Sequence, residues 1–90
     1  MPDTEVLARL VQDGLVRVDD GAPHTTRRWQ AAMARAALVL RDAKAPEDDL
    51  RLPIAVALVH LYGEAADETM VADFVGELLP IELAEVGVRT

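Results

Sequence analysis

The stretch Leu52-Pro53-Ile54-Ala55-Val56-Ala57-Leu58-Val59-His60-Leu61-Tyr62 is apolar at every position but one histidine. An element with no polar side has nothing to offer water, so it must be covered all round, by the rest of the chain or by a second copy. In a chain of 90 residues this limits the architecture severely. Pro53 is tolerated only in the first turn of a helix. The alanines in the run, with Asp48 and Asp49 as acidic caps ahead of it, predict a helix from about Asp49 to Gly63. The β-branched residues of 54–59 make a buried strand the competing expectation.

A chain this short buries roughly 60–65% of the surface its unfolded form exposes. With 51% apolar residues, some of that apolar surplus is left for a partner or a second copy, so a homodimer is expected. Trp29, Tyr62 and Phe74 are the only aromatics, and Ala, Val and Leu suit close helix packing. The absence of cysteine excludes disulfides, thiolate metal sites and Cys nucleophiles. The start Met1-Pro2-Asp3-Thr4-Glu5 has no signal-peptide character. The run at 52–62 is well short of the ~20 residues that span a bilayer, so a cytoplasmic protein without membrane contact is expected.

Along the chain, Asp3 or Thr4 can cap a first helix carrying Val6, Leu7, Leu10 and Val11 on one side, ended by Gly14. Residues 15–21 leave room for a short β-like turn, with no convincing partner strand after it. Thr25 or Thr26 caps a second helix from Arg27 to about Ala43. Its apolar side is Trp29, Ala32, Met33, Ala36, Val39 and Leu40. Asp67 caps a fourth helix with the stripe Met70, Val71, Phe74, Val75, Leu78 and Leu79, which Pro80 is expected to kink or break. The expected fold is all-α: one compact domain over 1–90, four to five helices around a central apolar helix at 52–62.

No catalytic or metal-binding pattern emerges. His60, Glu64 and Glu68 have the spacing of ligands on one helix, but Gly63 and the Ala65-Ala66-Asp67 stretch break that helix, so His60 reads as a hydrogen-bonding residue at the core edge. His24 reads as a solvated loop residue. Asp73 with Glu77, and Glu82 with Glu85, look like ordinary solvated faces rather than paired acid–base groups, which would need a desolvating pocket. There is no nucleophile elbow and no Gly-rich phosphate loop. No cofactor, metal or enzymatic activity is expected.

The net charge of −7 is unevenly spread: residues 1–23 carry −3, residues 24–45 carry +4 and residues 46–90 carry −8. Arg27, Arg28, Arg35 and Arg41 share one side of the second helix and form a candidate interaction face. At its start, Thr25 and Thr26 are candidate phosphate contacts beside two guanidinium groups and free backbone amides. Pairing of these arginines with the acidic 46–90 segment is the competing expectation.

The passage Leu7-Ala8-Arg9-Leu10-Val11-Gln12-Asp13-Gly14-Leu15-Val16-Arg17-Val18-Asp19-Asp20-Gly21 resembles the helix-to-wing passage of winged-helix transcription regulators. There a recognition helix ends in a similar Leu/Val/Gly pattern and is followed by a strand, an Asp/Gly turn and a second strand. The likeness covers about a sixth of the chain. It implies a small DNA-binding regulator built on 4–21 and the basic face of 27–41. The chain departs from the pattern in having Arg9 as the only base on that helix, and in passing after Gly21 into Pro23 and a helix instead of a returning strand. The leading expectation is therefore a non-catalytic protein that works through protein–protein contacts, with DNA binding as the alternative.

Overall fold

The computed structural model describes residues 2–46 and 49–87, with side chains over 5–46 and 49–85. The order is α1 (Pro2–Gln12), β1 (Val16–Asp19), β2 (Ala22–Thr25), α2 (Arg27–Asp42), α3 (Arg51–Tyr62), a single 3₁₀ turn (Gly63–Ala65) and α4 (Glu68–Gly87). The all-α expectation is corrected by the two strands. They pair antiparallel in the register Val16↔Thr25, Arg17↔His24, Val18↔Pro23 and Asp19↔Ala22.

Two local facts explain the hairpin. Asp20 and Gly21 both have positive φ (52° and 77°), the two-residue turn whose twist suits a right-handed ribbon and for which Asp-Gly is a preferred sequence. Counting outward from that turn, Pro23 falls on a non-hydrogen-bonded pair. Its missing N–H would have pointed away from β1, so the ladder loses nothing. A proline that reads as a strand breaker is harmless in a ribbon made only of edges.

α1 and α2 end in the same way. The residue after the cap turns left-handed (Gly14 at φ 76°, Lys44 at φ 57°). The next N–H then reaches back to the carbonyl five residues earlier, Leu15 to Leu10 and Ala45 to Leu40. α2 begins on Thr26, whose hydroxyl accepts the Trp29 N–H at 3.4 Å. Ahead of α3, the Asp49 carboxylate takes the Arg51 N–H at 3.0 Å, while the expected cap at Asp48 lies outside the described residues. Pro53 is the third residue of α3, where it costs no helical bond. α4 starts with the Asp67 carboxylate accepting the Met70 N–H and runs unbroken through Pro80. Pro80 is exposed, and the carbonyl left without its helical donor belongs to Gly76, itself exposed, where water can serve it.

One buried cluster draws side chains from every helix and from the hairpin: Leu10, Leu15, Val16, Trp29, Ala32, Ala36, Ile54, Ala57, Leu58, Phe74, Val75, Leu78 and Ile81. α3 lies between α2 and α4, and the small Ala32, Ala36 and Ala57 at the buried positions allow close backbone approach. The single chain covers 52–62 on only part of its circumference. Ile54, Ala57 and Leu58 are fully buried, yet Leu52 and Val59 are 37% and 50% exposed. Both flanks of α3 that meet helices are dry, and its outer side is wet in the single chain.

Candidate interaction surfaces

The wet side of α3 is an apolar stripe. Leu52, Ala55, Val56 and Val59 stand at i, i+3, i+4 and i+7, which puts them in line on one helix face. Val39 of α2, 55% exposed, extends the stripe sideways. Together with His60, the residues Val39, Ala55, Val56 and Val59 line a shallow groove of about 490 Å³ between the two helices. His60 is exposed at its rim. Among the described residues, no group of three or more His, Asp or Glu is placed to hold a metal ion.

The candidate basic residues Arg27, Arg28, Arg35 and Arg41 are all exposed on α2, and none makes an ion pair with a described residue. The two candidate phosphate contacts are engaged inside the protein. Thr26 donates its hydroxyl to the Gly14 carbonyl at 2.6 Å. Thr25 is 4% exposed and gives both of its donors to one carboxylate, its N–H to Glu85 Oε1 at 2.8 Å and its hydroxyl to Oε2 at 2.7 Å. Gln30 in turn donates to Thr25 Oγ1 at 3.3 Å, and His24 Nδ1 stands 3.9 Å from Glu85.

Glu82 is used in the same way, accepting the Trp29 indole N–H at 2.6 Å. The reading of Glu82 and Glu85 as an ordinary solvated face is thus overturned: both are half-buried and tie the end of α4 to β2 and α2. The signal was present in the sequence. Glu82 follows Leu78 by four residues and Glu85 follows Ile81 by four, which places both carboxylates on the buried stripe of α4.

These bonds also close one edge of the hairpin. The outward donors of β2 are the position of Pro23, which has none, and the Thr25 N–H, which Glu85 occupies. No strand can add to β2 without displacing Glu85.

Tyr62 donates its hydroxyl to Asp13 at 2.5 Å, and its ring stands edge-on to Phe74 with centroids 5.7 Å apart. The Arg9 guanidinium lies 5.5 Å from the Tyr62 ring centre and 3.4 Å from Asp13. Burial, and next the bond to Asp13, push the Tyr62 phenol far above its ordinary value, so it is held as a neutral donor. This cluster pins α1 to α3 and α4. No helix among the described residues is long and apolar enough to cross a membrane.

The chain matches no known family model, and no curated protein or solved structure shows significant similarity to it.

Proposed function

We propose that the protein is a cytoplasmic, non-catalytic interaction module that works as a homodimer through the outer face of α3. The observation that carries this reading is the stripe Leu52, Ala55, Val56 and Val59 with Val39 beside it. It is an uncharged apolar stripe on one helix face, whereas the other large apolar side chains exposed on helices, Val11, Leu38 and Leu83, each stand on a different helix. A second copy is the simplest cover. The stripe has no charge to be matched, and two α3 helices packed antiparallel across a two-fold axis present the same residues to each other. A stable dimer would bury roughly a tenth of each copy's 6242 Å² of surface. Each copy carries −7, so raising salt should screen the mutual repulsion and tighten the pair.

Changing Leu52 and Val59 together to Glu tests the surface. Both are exposed in the single chain, so the fold should survive with unchanged helical circular dichroism. Truncating buried anchors of an interface costs on the order of 2–4 kcal/mol each, and burying a carboxylate there costs more. The double variant is therefore expected to sediment as a monomer at concentrations where the native chain is a dimer. Identical sedimentation of the two proteins would remove this face from the account.

A second reading, a small DNA-binding regulator, draws on two observations: the four arginines of α2, which make no ion pair with a described residue, and the hairpin that follows α1 as in the helix-to-wing passage. It expects salt-dependent binding to a duplex that weakens when Arg27 and Arg28 become Ala. Absence of any gel shift at low salt would eliminate it.

A further inference from the structure

A second feature lies where the hairpin meets the C-terminal half of α4, and it shares no lining residue with the α3 groove. Two concavities adjoin there and share Arg17, Thr25 and Gln30. The larger, of about 550 Å³, is walled mainly by Pro23, Pro80, Ile81 and Ala84. The smaller, of about 400 Å³, opens onto Arg17 and Arg27. Both volumes fall within the roughly 300–1,000 Å³ usual for small-molecule sites. The composite is apolar at one end and cationic at the other.

We infer that this cleft binds a small amphipathic anion, an alkyl chain bearing one carboxylate or phosphate group. The alkyl part fits between the two prolines, Ile81 and Ala84, and the charged head sits between Arg17 and Arg27. Arg27 makes no ion pair with a described residue. Among the described residues Arg17 pairs only with Asp19 at 3.5 Å, and both partners of that bridge are more than half exposed, so it competes weakly. Gln30 uses one amide hydrogen on Thr25 and keeps a second for the head group.

The groups of opposite sign set the polarity of binding. Glu85 lines the apolar concavity, but both its oxygens are taken by Thr25, with His24 Nδ1 at 3.9 Å. Its charge drives an anionic head away from that end and towards the arginines. A cationic amphiphile finds the two arginines where its head would go.

Calorimetric titration of the full chain with sodium decanoate, decyltrimethylammonium and inorganic phosphate tests this. Decanoate is expected to bind one per chain, with the ammonium analogue and bare phosphate each at least tenfold weaker. Arg17→Gln with Arg27→Gln should weaken decanoate at least tenfold. Ala84→Trp, a change on an exposed wall, should block the cleft while leaving the circular dichroism unchanged. Several results would overturn the inference: no binding of decanoate, equal binding of the ammonium analogue, indifference to both variants, or association only when the anion is presented in phosphatidylglycerol vesicles. None of these outcomes bears on the α3 face, whose variants leave the cleft intact.

Discussion

Trp29→Ala is expected to lower stability by about 3–5 kcal/mol, against a total of the order of 5–10 kcal/mol for a chain of this size. Trp29 is the largest side chain with no exposed surface and sits where α2 meets the end of α4. Its removal empties the largest single volume in the core. It also strands the Glu82 carboxylate, which loses the indole donor at 2.6 Å. The two costs separate in Trp29→Phe, which keeps most of the packing and loses only the donor. That variant should fall by roughly 1–3 kcal/mol. Urea denaturation followed by circular dichroism measures both, and a loss below about 1 kcal/mol for the alanine variant would mean that the core is not centred on Trp29.

Glu85→Ala is expected to cost about 2–3 kcal/mol, although the residue lies near the end of a helix and is itself half-buried. One carboxylate serves two donors of a residue 60 positions away, the N–H and the hydroxyl of Thr25. Bonds to an ionised acceptor are the stronger kind. Without Glu85, a strand amide and a hydroxyl with almost no access to water lose their acceptors. Glu85→Gln should cost less, since its one amide oxygen still accepts. Hydrogen exchange gives a local readout: the Thr25 amide, bonded to Glu85, is expected to exchange slowly in the native protein and to become among the fastest of the sheet in Glu85→Ala. A stability change within about 0.5 kcal/mol, the range of ordinary surface substitutions, would show that α4 is not latched there.

The helices were legible because each carries its own punctuation. Thr26 and Asp67 cap α2 and α4 through their side chains, and the apolar spacing of Trp29, Ala32 and Ala36 marks the buried side of α2. The hairpin was not, because Pro23 argues locally against a strand and only the pairing register shows that its missing N–H faces outward. Pro80 misled in the same direction. A helix interrupter was expected, but the helix can pass through it because the affected carbonyl lies at an exposed glycine.

The cleft and the carboxylate latch depend on contacts between residues more than 50 positions apart, such as Trp29 with Glu82. Periodicity could place Glu82 and Glu85 on the buried side of α4 but could not say which donors wait opposite. The outer stripe of α3 was visible as excess. An apolar run with no polar side declares that a cover is needed, and the fold shows which flank its own helices leave open.

The most direct measurement is the solution mass of the native chain by size-exclusion chromatography with light scattering, over a dilution series and at two salt concentrations. A mass of twice 9.8 kDa, falling towards 9.8 kDa on dilution and persisting to lower concentration in high salt, is the result expected if α3 seats a second copy. A mass of 9.8 kDa at every concentration and at both salts would contradict it.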